Sequence, residues 1–310
     1  MKKRIIFALA AILAFGAASF SSEAKGDKTV ALPSGKHKVS QTVYLYADKS
    51  PVTLNGHSGE QSDSEGNLSR VNEKDARFDL YFPKKSQRTG QMVIVIPGGG
   101  YWCVASIYEG AYVAQWLCDR GIAAAVLTYR LPNHHCTVPT EDFEETISYC
   151  RAHSAEWGIS SIGVMGFSAG GHFASTVATH EKGEYRPDFQ ILIYPVITMY
   201  PGTHRGTHDN LIGKEPSEEL LDLYSNEKQV SSTTPPAFIA FSDDDTVVPV
   251  AYNAVPYIKA LTENGIPATV VSFPTGGHGW GFRLEGQKDR LPEKDRKAFY
   301  RQFDAWLKSL

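Results

Sequence analysis

Residues 164–172 read VMGFSAGGH, and how this stretch is read decides the fold. Ile162 to Met165 form part of an apolar run with the look of a buried strand. Ser168 stands at the end of that run, and AGGHFASTVATH continues as a helix. Small residues on both sides of the serine permit a strained strand-to-helix turn that would lift its Oγ above the carboxyl edge of a sheet. The N–H of Ala169, at the start of the helix, would then point to where an oxyanion forms. A plain glycine-rich turn is the competing reading. His172, four residues on, is the nearest candidate base. On a helix, however, it lies one turn down and is expected to pack behind the serine rather than beside an incoming substrate.

Outward from this stretch, apolar runs alternate with amphipathic ones. ARFDLYFP alternates like a half-buried strand, and QMVIVIP, IAAAVLTYRLP, FQILIYPV, AFIAFS and ATVVSF read as buried strands. Between them AYVAQWLCDRG, EDFEETISYCRAHSAEWG and AYNAVPYIKALTENG read as helices, and another closes the chain. This alternation predicts an α/β fold with a mostly parallel central sheet covered by helices on both faces. Residues 198–234 are irregular and too long for a simple connection, so a lid or substrate loop is expected there.

Three further motifs follow strand ends in chain order. IPGGGYW brings three glycines directly after a buried strand, and the amides of Gly99 and Gly100 can join that of Ala169 in an oxyanion hole. A phosphate loop is disfavoured because no Gly-Lys-Ser/Thr follows. FSDDDTVVP ends a strand in Asp243, Asp244 and Asp245, any of which could hold an imidazole in its working tautomer. FPTGGHGWGF sets His278 among glycines after the last apolar strand, completing the order Ser, Asp, His. Tyr101, Trp102, Trp280 and Phe282 flank these loops. They are candidates to stack on sugar rings, with core packing as the competing use.

The 310 residues are 42% hydrophobic and 21% charged with a formal net charge of −3, an ordinary globular composition with no basic run suited to nucleic acid. The first residues differ. A basic start (Lys2, Lys3, Arg4), an apolar run from Ile5 to about Ala18, and Ser22-Glu23-Ala24 make a signal-peptide pattern over residues 1–24. Its loss would remove three basic groups and one acidic one, moving the net charge from −3 to −5. An exported protein without stable membrane association is expected. Residues 25–75 read as an N-terminal extension without a motif, and 76–310 as the catalytic domain. Cys103, Cys118, Cys136 and Cys150 are compatible with disulfides or with buried thiols. His134-His135-Cys136 lacks the second paired motif a metal site needs. Oligomeric state is not legible.

From about Ala76 onward the blocks PGGGYW, YEGAYVAQWL, GIAAAVLTYRLP, AEWGISSIGVMGFSAGGHFAS, ILIYPVITM, TPPAFIAFSDDDTVVP and GGHGWGF resemble one branch of the α/β-hydrolase superfamily. That branch comprises secreted bacterial acetylxylan-esterase-like carbohydrate esterases, also described as xylanase-B-like hydrolases. The resemblance implies Ser168 as nucleophile and His278 as base. Its D-x-x-V-P pattern selects Asp245 over Asp244 and Asp243. Many relatives carry histidine where this chain has Pro97, a departure that bears on the oxyanion loop. Implied is a serine esterase acting on an acylated carbohydrate, without metal or organic cofactor. An exported peptidase of the same layout and a non-catalytic carbohydrate binder are the rivals. The first usually carries a large extra domain, and the second needs no serine elbow.

Overall fold

Continuous apolar runs become strands where both faces of the sheet are covered. The computed structural model describes residues 32–56, 61–62, 69–70, 75–284 and 286–310; the expected signal segment, 1–24, lies outside the described residues. The strands are β1 (Gln41–Tyr44), the short pair β2 (Gln61–Ser62) and β3 (Ser69–Arg70), β4 (Arg77–Tyr81), β5 (Gln91–Ile96), β6 (Ala123–Thr128), β7 (Ser161–Phe167), β8 (Gln190–Ile193), β9 (Ala237–Ser242) and β10 (Ala268–Phe273). Eight of them form one sheet in the order β1-β4-β6-β5-β7-β8-β9-β10. Only β4 runs against the others: it is antiparallel to both β1 and β6, and the remaining pairings are parallel.

The helices are α1 (Tyr112–Cys118), α2 (Val138–Ala152), α3 (Ser154–Trp157), α4 (Ala169–His180), α5 (Arg205–Ile212), α6 (Glu218–Leu223), α7 (Ala254–Glu263) and α8 (Glu293–Leu307). Alternate residues of β5 enter opposite cores. Met92, Ile94 and Ile96 pack in one with Phe143 of α2, Phe173 of α4 and Tyr257 of α7. Val93 and Val95 pack in the other with Trp116 of α1 and Phe299 and Phe303 of α8. The sheet is thus buried on both sides, as its continuous apolar strands require.

Two expectations change. One helix over 141–158 is expected, but α2 begins at Val138 and breaks at His153, with φ −99° and ψ 0°. The His153 ring lies 2.8 Å from the Tyr149 carbonyl, to which the His153 N–H also donates. The second concerns residues 25–75, read as an N-terminal extension of unknown role in which TVYLYA could form a short strand. Gln41–Tyr44 is an edge strand of the main sheet, and Leu45 and Tyr46 join the core. The Tyr46 hydroxyl donates to Asp142 Oδ1 at 2.6 Å and accepts from Arg130 Nη2 at 2.9 Å. Arg130, wholly buried, also pairs with Asp142 and donates to the Thr53 carbonyl. The contacts of Tyr46 and Thr53 escape sequence reading because they join loop residues to partners 77 to 96 positions away.

A buried guanidinium–carboxylate pair is costly unless its remaining hydrogen-bonding sites are filled, and Tyr46 fills two of them. Tyr46→Phe is expected to lower unfolding free energy by about 1–2 kcal/mol in urea titration. No change would mean that residues 41–56 do not belong to the same cooperative unit.

Candidate active site

Strand order reverses at β5: the chain moves from β5 to β6 on one side, then returns to place β7 on the other. A crevice opens at the carboxyl ends of strands at such a switch point. Ser168 follows β7 there, and Gly98, Gly99 and Gly100 follow β5. Ser168 has φ 53° and ψ −120°, a left-handed conformation that costs a non-glycine residue of order 1–3 kcal/mol. Backbone hydrogen bonds hold it. Its N–H donates to Ile193 O at 3.1 Å, and its carbonyl accepts from Gly171, His172 and Val196 at 2.9–3.1 Å. A Cβ on Gly170 would collide with the carbonyl oxygens of Ile96 and Pro97, so only glycine lets α4 approach β5 this closely.

Three sequence-predicted residues meet here. Ser168 Oγ lies 2.8 Å from His278 Nε2, and His278 Nδ1 lies 2.7 Å from Asp245 Oδ2. The adjacent aspartates have separate tasks. Asp245 is 5% exposed, and its Oδ1 accepts from the N–H groups of Val247 and Val248, both at 2.9 Å, which leaves Oδ2 for the imidazole. Asp244 is exposed and accepts from Gly277 N–H at 2.8 Å, anchoring the loop that carries His278. Asp243 is also exposed and does not reach the ring.

Ala169 opens α4, so its N–H has no intrahelical acceptor. Of the three glycines, Gly98 donates to Glu109 Oε2 at 2.8 Å, whereas none is found for the Gly99 and Gly100 N–H groups among the described residues. Gly99, Gly100, Ser168 and His278 line one cavity of about 260 Å³ with Ala105, Glu109, His204 and Val247. Its lining includes both buried Glu109 and half-exposed Val247. A larger depression of about 410 Å³ beside Pro187 and Pro235 lies before β8 and β9, away from this sheet edge.

His172 stands apart from this row. Its Nε2 donates to the Tyr224 carbonyl at 2.7 Å, so its Nδ1 accepts from the Tyr101 hydroxyl at 3.0 Å. Burial pushes its pKa down to about 4. Two candidate substrate residues are corrected by packing. Tyr101 is 3% exposed and committed to His172, and Trp280 is wholly buried against Tyr194 and Phe299. Phe282 is likewise buried, edge-on to Trp116. Trp102 alone of these is exposed. All four cysteines are free thiols. Among the described residues no group of three His, Cys, Asp or Glu side chains is arranged to hold a metal ion.

Glu109, Tyr194, His204 and Val247 escape sequence reading. Glu109 accepts from Gly98 N–H and from the Tyr194 hydroxyl at 2.8 Å, and that hydroxyl accepts from Gly281 N–H at 3.0 Å. One buried carboxylate and one phenol therefore tie the glycine loop to the histidine loop. Burial pushes the Glu109 carboxyl up; the bonds from Tyr194 and Gly98, and the neighbouring His278, pull it back. The signal available was an acidic residue inside an apolar stretch, YEGAYVAQWL.

An eight-stranded, mostly parallel sheet with one reversed strand, and a strained serine at its switch point, define an α/β-hydrolase. Residues 78–255, more than half of the chain, match the BD-FAE family, and the chain belongs to that family. It is 38% identical over 200 residues to an acetylxylan esterase of Xylanibacter ruminicola, a match covering 63% of this chain and 42% of the relative. It is also 38% identical over 206 residues to endo-1,4-beta-xylanase B of Butyrivibrio fibrisolvens, covering 60% of this chain and 32% of the relative. The chain thus spans less than half the length of these two curated relatives. A crystal structure of an acetyl ester-xyloside bifunctional hydrolase from Caldicellulosiruptor lactoaceticus superposes with a TM-score of 0.72 at 31% identity, covering 89% of this chain and 98% of that one.

His172 sets a pH limit on stability. Its folded pKa of about 4 lies below an unfolded value near 6.5, so the unfolded chain binds the extra proton between those values. Stability from this group is complete above about pH 6.5 and is lost as pH falls toward about 4, by roughly 3 kcal/mol. Urea titrations across that range should show a shallower decline for His172→Gln; an unchanged slope would assign the acid sensitivity elsewhere.

Proposed function

We propose that the chain is an exported serine esterase removing short acyl groups such as acetyl from plant polysaccharide or oligosaccharide, xylan in particular. The observation that carries this reading is the unbroken row Ser168 Oγ, His278, Asp245, with contacts of 2.8 and 2.7 Å, opening on a cavity lined by Gly99 and Gly100. The small cavity, about 260 Å³, suits a short acyl group. The named relatives that act on acetylated xylan support the substrate class.

The chemistry follows from the hydrogen bonds. Asp245, acceptor only, accepts a hydrogen bond from the Nδ1–H of His278, which keeps that proton on Nδ1 and leaves Nε2 as the base facing Ser168. His278 removes the Oγ proton as Ser168 attacks the ester carbonyl. The oxyanion is received by the N–H of Ala169 and that of Gly99 or Gly100, each such donor being worth about a hundredfold or more in rate. Asp245 stabilises the imidazolium, which protonates the departing sugar alkoxide. Water, deprotonated by His278, then releases the acid and restores Ser168. Every proton and charge in these steps is handled by protein groups. Export rests on the residue 1–24 pattern and makes Lys25 the expected first residue of the secreted protein. Amino-terminal sequencing of material recovered outside the cytoplasm checks this, and an intact Met1 there would refute it.

Mature protein should release acetate from acetylated xylo-oligosaccharides. Ser168→Ala and His278→Ala are each expected to lower kcat/KM by about 10⁴-fold or more. A conservative His172→Gln change should keep much of the wild-type rate. Cleavage of aminoacyl amides without acetate release would identify a peptidase, and carbohydrate binding without any turnover a non-catalytic binder.

A further inference from the structure

The irregular stretch 198–234 contains α5 and α6, and α5 is fastened to the glycine loop: Asn210 Nδ2 donates to Gly100 O at 2.8 Å. His204 caps α5, and its Nδ1 accepts from Thr207 N–H at 3.2 Å, with Thr207 Oγ1 2.9 Å away. A backbone N–H can only donate, so Nδ1 carries no proton and Nε2 carries one. Nε2 has no hydrogen-bond partner among the described residues, and the ring lines the cavity beside Ser168 and His278. The ring packs beside Gly100, where a Cβ would stand in ordinary contact at 3.5 Å from His204 Cε1. Burial and the nearby His278 depress its pKa, Asp245 opposing, which favours the neutral ring with its single outward donor.

We propose that His204 is a specificity-determining residue whose Nε2–H donates to a hydroxyl or ring oxygen of the sugar bearing the ester. The proposal rests on the esterase reading above and adds the group that recognises the alcohol portion. That portion lies toward His278, which must hand it a proton, and toward the open end of the cavity. His204, half-buried, lines the same cavity as His278 and lies close enough for the two rings to influence each other's charge. A sugar presents oxygen acceptors next to the ester; an aryl leaving group presents none in an equivalent place.

The test is the ratio of kcat/KM on acetylated xylo-oligosaccharide to kcat/KM on 4-nitrophenyl acetate, measured for wild type, His204→Ala and His204→Asn. Asparagine is a good helix cap but is too short to carry a donor into the cavity, so it separates capping from recognition. Both variants are expected to lower the ratio about tenfold, with thermal stability retained better in His204→Asn. A wild-type ratio in His204→Asn, or equal losses on both substrates, overturns the assignment while leaving the esterase reading in place. Wild-type protein inert on the acetylated oligosaccharide overturns both.

Discussion

The close approach of α4 to the strands beneath it is the constraint on which the site depends. A Cβ on Gly166 would strike the Gly170 carbonyl, and one on Gly170 would strike the carbonyls of Ile96 and Pro97. With no side chain between them, helix and strand pack closely enough for the chain to reverse over a single residue. That residue, Ser168, is forced to φ 53° and projects from the switch point instead of lying in the sheet. The strain is offset by the four backbone hydrogen bonds at its N–H and carbonyl, which leave its hydroxyl as the group with freedom to react. The same helix start supplies the amide of Ala169.

A second level of organisation holds the loops that meet the serine. Gly98, Tyr194 and Gly281 belong to three loops after three strands, and Glu109 joins them through bonds of 2.8–3.0 Å. Asp244 restrains the glycines before His278, while Asp245 restrains its ring. The polar groups beneath the cavity thus act largely on position. A network of this kind is effective in a low-dielectric interior because each member is satisfied, and a partly satisfied one would weaken the fold.

Much of this was legible in the chain. Strands β5 to β9 follow apolar runs that could be read directly, since a strand buried on both faces is nearly continuous in hydrophobicity, whereas β4 follows an alternating run and the edge strand β10 a half-exposed one. The positions of Ser168, His278 and the run Asp243–Asp245 were marked by turn-forming neighbours at strand ends, and the family resemblance singled out Asp245 within that run. Where reading failed, the cause was geometric. Tyr101 and Trp280 stand beside reactive loops in sequence, yet backbone direction turns them into the core, where aromatic surface is better buried. Residues 41–56 have no strong periodicity, and what holds them is the distant Arg130–Asp142 pair.

By itself, then, the sequence determined the alternating α/β architecture, the strand that ends in Ser168 and the order of the reactive residues. Hydrophobic period and turn chemistry are local properties and survive in one dimension. Only the tertiary structure decided that the serine's neighbour in space is His278 and not His172, that Glu109 and Tyr194 join the loops, and that His204 of the irregular stretch reaches the cavity. Those relations are distances between residues far apart in the chain, and they exist only once the sheet has brought its carboxyl ends together.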